Sequence, residues 1–253
     1  MTRTAQIKFK LLGLLLATLP RELRRRLSVH LGTPDLRWSL MQLRRFGLSP
    51  HSVLDVGAFK GDWARTFLKV FPDAHVTCLE PQDEPQADLS RLAKEYKNVR
   101  VIQTLVGRQV LGAVPFVDRG SGSSVLLPGD GTRKYKPMTT VDELIRSGQC
   151  EPPDFVKLDT QGYEIEILEG WTETLTRCSV LQCEVSLLPI VPDVPLLREI
   201  VTYLYHRQFL LFDITELIRA PSDGAVWQLD AIFCRADSPL RSQRFWDNPE
   251  PYI

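Results

Sequence analysis

Residues Ser52–Trp63 read SVLDVGAFKGDW. The first five form an apolar run broken only by Asp55, the pattern of a strand buried on both faces. Gly57 follows at once, Gly61 comes four residues later, and Asp62 and Trp63 open what looks like a helix. A strand, a glycine turn and a helix start, in that order, form the first unit of a doubly wound parallel sheet. Such sheets bind ligands at the carboxyl ends of their strands, where strand order reverses. Asp55 and Gly57 stand at that end.

Outward from this unit the alternation continues. Strands are predicted at 52–56, 75–80, 99–104, 154–159, 179–185, 209–214 and 227–235, with helices at 61–70, 84–95, 163–176 and 195–207. Alternation of this kind means α/β with a parallel sheet. The last two strands are joined by TELIRAPSDGAV, too short for a crossover helix, which predicts an antiparallel pair at that edge. AVPFVDRGSGSSVLLPGDGTRKY (113–135) is rich in Gly, Ser and turn signals and predicts a hairpin or flap inserted after the third strand. Residues 1–48 read as a helical extension punctuated by Pro20 and Pro34, with Thr33 as a candidate N-cap. Residues 49–237 form the main domain, and 238–253 a polar, irregular tail.

Composition narrows the function. Lys+Arg and Asp+Glu both number 31, a balance that offers nothing to a polyanion and argues against nucleic acid. Five cysteines, with no C-x-x-C pair, argue against a disulfide framework or a zinc cluster and fit a reducing cytoplasm. IKFKLLGLLLATLP (7–20) places basic residues before an apolar stretch too short to span a bilayer. It reads as a basic amphipathic helix that packs on the domain, with peripheral membrane contact as the competing reading.

Two ligand classes compete for the first turn. A dinucleotide wants G-x-G-x-x-G so that amides cradle its pyrophosphate. DVGAFKG lacks the close glycine pair, puts Phe59 where a phosphate needs room, and places Asp55 where it would repel one. An acid there suits the ammonium of an amino acid instead, and Glu80, in LEP at the end of the second strand, is placed for ribose hydroxyls. A ligand with an amino-acid end and a nucleoside end is S-adenosylmethionine. Its candidate contacts are Asp55, Gly57, Ala58, Phe59, Gly61, Glu80 and Pro81.

A second landmark is DFVKLDTQGYEIEILEGW (154–171), where Lys157 rides a buried strand and Asp159 ends it. Together with VLDVGAFKGDW, CLEP, the flap and TTVDEL, it resembles the FkbM family of S-adenosylmethionine-dependent methyltransferases over about residues 50–235. The resemblance implies a class I methyltransferase fold, Rossmann-like, with seven strands and the last antiparallel. It implies O-methylation, commonly of a sugar or polyketide hydroxyl. It carries cofactor binding onto Asp55, Gly57, Gly61 and Glu80, and marks Asp142, Lys157, Asp159, Gly162 and Glu164 as signature positions. The family often has Asn at the position of Phe59 and Glu at that of Gln161.

Transfer of a methyl group to a hydroxyl needs an aligned oxygen and a base on the acceptor side. Asp159 is the candidate base, with a helix-dipole acid as the alternative. No histidine stands at the carboxyl edge. Lys157 is expected to pair with Glu184 across neighbouring strands, structurally or to orient the acceptor, and a metal held by Asp159 and Glu184 ranks behind both. Ser123, Ser124, Gln161 and Glu164, with Arg119, are the candidate acceptor contacts. Trp63 and Trp171 read as core. Two other identities stay open: an NAD-dependent oxidoreductase, and a degenerate scaffold or membrane-associated protein of the same fold.

Overall fold

The computed structural model describes residues 32–126, 133–189 and 191–242, together with Thr18, Pro20 and Leu23. The apolar segment 7–20, the tail beyond 242 and the tip of the flap therefore lie almost wholly outside the described residues.

Seven strands form one sheet in the order β3-β2-β1-β7-β8-β10-β9. They are β1 (Ser52–Val56), β2 (His75–Leu79), β3 (Val99–Ile102), β7 (Phe155–Leu158), β8 (Val180–Ser186), β9 (Phe209–Arg219) and β10 (Val226–Arg235). All seven predicted strands are present. β1 pairs in parallel with β2 and β7, and β10 runs antiparallel to both β8 and β9. This is the class I methyltransferase order, with strand order reversing between β1 and β7. The last strand enters between β8 and β9, and β9 is the edge.

Successive residues of a strand face opposite sides, and two cores follow. Val53, Phe155, Val180 and Ile232 pack with helices α1 (Leu36–Arg45), α2 (Asp62–Leu68) and α3 (Gln86–Glu95). Leu54, Val56, Leu158 and Phe233 pack with α4 (Val141–Arg146), α5 (Glu164–Glu169) and α6 (Leu197–Tyr205). Leu40 and Leu43 of α1 are fully buried in the first core. The N-cap of α1 is Asp35, not Thr33: its carboxylate accepts from the Trp38 amide at 2.7 Å. Pro34 separates Thr33 from the helix, and the Asp35 backbone has the extended conformation a cap needs.

The predicted helix at 163–176 is shorter than its sequence. α5 stops at Glu169, and a 3₁₀ turn forms at Leu175–Arg177. Asp142 explains the break. Its Oδ2 accepts from the amides of Thr172 (2.7 Å) and Glu173 (2.9 Å), and its Oδ1 from the Thr174 hydroxyl (3.0 Å). Those amides are thereby withdrawn from any helical ladder. The family's signature acid at 142 is thus a clamp between α4 and the end of α5.

The flap is a hairpin with one addition. β5 (Leu111–Val117) and β6 (Arg133–Thr139) pair antiparallel, and β4 (Leu105–Val106) joins β6 in parallel, giving a three-stranded sheet. β6 leads into α4, whose Thr140 N-cap accepts from the Glu143 amide at 3.1 Å. Thr140 and Glu143 have capping-box spacing; this helix was not among those predicted, although TVDE carries its start signal.

Candidate active site

The alternation that builds the first core also builds the site. On the α1–α3 face, the position after Val53 is Asp55, after Phe155 is Lys157, and after Val180 are Gln182 and then Glu184. Each strand is apolar at its middle and polar at its carboxyl end, so a buried polar row forms where the sheet meets the turns. Lys157 is its centre. Its ammonium lies 3.1 Å from Asp159 Oδ2 and 3.3 Å from Asp55 Oδ1, and donates to the Gly57 carbonyl at 2.9 Å. Burial works against its charge, but Asp159 and Asp55 outweigh that and hold it well above the ordinary lysine range.

Two expectations change here. Lys157 does not bridge Glu184, because the register sets Lys157 opposite Gln182 and leaves Glu184 two residues further on. Glu184 instead accepts from the Gln161 amide at 2.7 Å. Asp55 is completely buried and is not on the cavity wall. Register places it beside Lys157 on β7.

The cavity opens over the turns after β1, β2 and β7 and under the flap. Its wall includes Gly57, Ala58, Phe59, Glu80, Pro81, Ser123, Ser124, Lys157, Asp159 and Gln161. The sequence reading missed Gln82, Thr104, Leu105, Phe116 and Tyr163 on the same wall. Thr104 and Leu105 lie two and three residues beyond β3, the next strand end at the same edge, so strand position alone would have found them. Trp63 lines the wall too, stacked on Phe67 at 4.9 Å and donating to Gln182 Oε1 at 2.9 Å. It serves core and cavity together, whereas Trp171 is core alone.

The glycines divide the work. Gly57 has φ +74°, and a Cβ there would meet the Asp159 carbonyl oxygen at 1.9 Å. Gly61 has φ +79° and is off the cavity wall; its Cβ would strike Leu92 of α3 at 2.6 Å. It permits close packing of α3 against the turn rather than approach of a ligand. Phe59 adopts φ +44°, a left-handed conformation that Asn tolerates better than Phe. Glu80 holds this turn: Oε2 accepts from the Phe59 amide at 2.8 Å and Oε1 from the Gln82 amide at 2.9 Å. Burial raises its pKa, against the pull of those amides. The Gln82 side chain is a further donor to it, and the carboxylate still has lone-pair capacity for one more.

The remaining candidates are largely committed within the protein. Glu164 is buried and off the wall, because its Oε1 accepts from the Thr160 amide (2.9 Å), the Thr160 hydroxyl (3.0 Å) and the Gly162 amide (3.2 Å). It shapes the turn after β7 and does not face an acceptor. The Ser123 hydroxyl sits 3.0 Å from Gln82 Oε1, and Ser124 donates to the Gln161 carbonyl at 3.0 Å. They tie the flap to the turns after β2 and β7. Arg119 is off the wall, and its amide donates to Ser123 Oγ at 2.7 Å.

The cavity fits S-adenosylmethionine in its donor set. Glu80 offers lone-pair capacity at the end of β2, Phe59 and Leu105 offer apolar wall, and the Gly57 turn brings backbone within reach. A pyrophosphate would instead meet Asp159, Glu80 and an aromatic ring.

Comparison with known proteins agrees with this reading. A model described as the methyltransferase FkbM domain matches residues 55–211. The chain is 24% identical over 153 residues to 2-O-methyltransferase NoeI of Sinorhizobium fredii (strain NBRC 101917 / NGR234), a match covering 53% of this chain and 63% of that protein. It thus spans less than two thirds of that relative's length. Among solved structures, it is similar to 1,6-didemethyltoxoflavin-N1-methyltransferase of Burkholderia thailandensis at 14% identity and TM-score 0.43, over 80% of each chain. It is also similar to M. capricolum TrmK, solved with S-adenosylhomocysteine, at 7% identity and TM-score 0.47, over 79% of this chain and 68% of that one. The family model spans β2, β3, β7 and β8 and the turns after β1, β2 and β7, and the chain belongs to the FkbM-domain methyltransferases.

Proposed function

We propose that this methyltransferase uses S-adenosylmethionine to methylate a hydroxyl of a sugar, glycan or secondary-metabolite acceptor. The observation that carries the reading is Asp159. It is a partly exposed carboxylate on the cavity wall at the end of β7, with the Lys157 ammonium at 3.1 Å on one oxygen and the Gln161 amide at 3.2 Å on the other. The relative's name, a 2-O-methyltransferase, supports oxygen as the acceptor atom.

Gly57, Ala58, Phe59, Glu80 and Pro81 would hold the cofactor, with Gln82, Thr104 and Leu105 from the same wall. When bound, it supplies a methyl group already activated on a sulfonium, so the protein must align the acceptor and receive its proton. Asp159 receives that proton as the hydroxyl reacts. The proton moves late, once the reacting oxygen has become acidic. The flap covers the cavity, and Ser123 and Ser124 fix its closed position.

The test is calorimetric titration of the full chain with S-adenosylmethionine, S-adenosylhomocysteine and NAD in parallel, then transfer of labelled methyl to a panel of free sugars and oligosaccharides. Binding of the first two and not NAD, with label on an acceptor oxygen, is the expected result. Binding of NAD alone would overturn it.

For residues 7–20 the proposal is packing on the domain, in a reducing cytoplasm. Flotation of the full chain and of one lacking residues 1–20 with phosphatidylglycerol vesicles separates packing from peripheral membrane contact. Among the described residues no helix is long and apolar enough to cross a membrane.

A further inference from the structure

We propose that Asp83 is a positioning residue for the cofactor: standing off the cavity wall, it docks the flap onto the turn after β2 through Lys134 and Lys136, and so slows the cofactor's release. The inference rests on the reading of this cavity as the S-adenosylmethionine site.

The alternation of the hairpin puts two lysines on its inner face. In β6, Lys134, Lys136 and Met138 share one side. Across the hairpin Lys134 stands opposite Phe116 and Lys136 opposite Val114. Val114, Phe116 and Met138 pack together with Leu105, and Phe116 lines the cavity. The face that closes on the cavity therefore carries two ammonium groups beside its apolar side chains. The Lys136 side chain is only 17% exposed. A charge so placed needs a partner, and both lysines find the same one. Lys136 Nζ lies 2.8 Å from Asp83 Oδ1, and Lys134 Nζ lies 3.3 Å from Asp83 Oδ2. Lys134 is shared with Asp118, just beyond β5, at 3.0 Å. Among the described residues Lys136 pairs with Asp83 alone.

The dock is aimed without the flap. Gln103, just beyond β3, donates to Asp83 Oδ1 at 2.7 Å and lies 3.4 Å from the carbonyls of Pro81 and Gln82. Gln86 of α3 donates to the carbonyls of Glu80 and Gln82 at 3.1 and 2.7 Å. Neither glutamine belongs to the flap, so the carboxylate is oriented before the lysines arrive, and less ordering is needed when they do.

The same turn faces the cavity on its other side. The Gln82 amide donates to Glu80 Oε1 at 2.9 Å, and Gln82 and Glu80 line the wall, whereas Asp83, Lys134 and Lys136 do not. One turn thus holds Glu80 on the inside and the flap on the outside. The Ser123 hydroxyl also reaches Gln82 Oε1, but its single proton has the Gly120 carbonyl at 2.8 Å as well as this oxygen at 3.0 Å. At the turn after β7, Ser124 makes one neutral hydrogen bond, to the Gln161 carbonyl. Among the described residues the ionic attachment of the flap to the rest of the cavity therefore lies on the Glu80 side, and salt acts on it there.

The test is the release rate of S-adenosylhomocysteine from the full chain, read by stopped-flow tryptophan fluorescence at low and at high salt. Asp83→Asn and Lys136→Met should each speed release about three- to tenfold, the range of one or two exposed ion pairs in a network. The double variant should be no faster than the faster single one, because both remove the same contact. Lys136→Arg should keep the slow rate. Salt should speed release from the parent more than from Asp83→Asn. A second readout needs no ligand. Nitroxides on Arg133→Cys and Lys94→Cys, both exposed positions in a chain whose native cysteines are all buried, report the distance from flap to α3. Its distribution should broaden in Asp83→Asn. Release unchanged in both single variants, additive effects in the double, or an equal salt response in parent and Asp83→Asn would each overturn the proposal. A merely structural role would lower the melting temperature and leave the salt response in place. If the parent binds no S-adenosylhomocysteine, the cofactor reading fails, and an unchanged distance distribution in Asp83→Asn would overturn the docking separately.

Discussion

Gly57 and Asp159 bring two turns into direct contact: a Cβ on Gly57 would lie 1.9 Å from the Asp159 carbonyl oxygen. The turn proposed to hold the cofactor and the strand end that carries the proposed base are therefore one packed unit. Gly57→Ala should cost at least about 2 kcal/mol, from the forced positive φ together with the overlap, and should abolish binding of S-adenosylhomocysteine. Gly112→Ala, where a Cβ meets nothing within 4 Å, is the control and should leave both unchanged. Urea unfolding and calorimetry read the pair.

Asp55 and Lys157 should fail asymmetrically. Lys157→Met removes the one ammonium from two carboxylates, one of them fully buried, and should destabilise by about 3–5 kcal/mol. Adding Asp55→Asn to it should recover part of that loss, because the buried charge then disappears. If the double variant were no more stable than Lys157→Met, the ion pair would not be what holds β1 and β7 together at this end. Denaturant midpoints of the two single variants and the double variant give the answer.

Glu80→Gln keeps the shape of the side chain and removes its charge. It also turns one acceptor of an amide, from Phe59 or Gln82, into a donor. Affinity for S-adenosylhomocysteine should fall by at least about tenfold, the equivalent of one charge-assisted hydrogen bond. Unchanged affinity would remove Glu80 from the cofactor site.

Stability should fall as pH rises. Glu184 is raised far above the ordinary glutamate value by burial and by Asp159, and Asp230 is raised to about 7 by burial and by the same charge. Between the unfolded carboxylate range and these folded values, the folded state binds more protons than the unfolded one. Each such group then removes stability with rising pH, by at most about 1.4 kcal/mol per unit. Glu184→Gln should flatten this slope from pH 5 to pH 9, and melting temperatures across that range would show it.

The sheet was legible because most strands are short, apolar and closed by a turn signal, as in SVLDV before Gly57 or DFVKL before Asp159, whereas β9 runs on to Arg219 through half-polar residues that read as part of the connection to β10. The edge at which the cavity opens followed from strand order alone. What strand spacing did not reveal is which buried charges touch. Lys157 and Glu184 are neighbours by strand and were expected to pair, but a parallel register offset of two residues gives Lys157 to Asp55 instead. Asp142 read as part of a motif, and its task is to hold amides 30 residues away, a contact no local pattern encodes. Glu164 and the flap serines are polar near a cavity, yet turn geometry consumes them first. Local chemistry was readable; partner choice depended on tertiary register.

The placing of β10 bears on the order in which the protein can be made. β9 pairs with β10 alone, and β10 supplies the seam joining it to β8. A nascent chain that has emerged only as far as Arg219 has made six of the seven strands, yet the sixth has nothing to pair with. Synthesis from the amino end can settle β1, β2, β3, β7 and β8 early, but this half of the sheet closes only when the final strand slides between two already made. Until then the outer edges of β8 and β9 stand open, and a chain that has emerged only as far as Arg219 presents two unpaired strands to chaperones and to neighbouring chains.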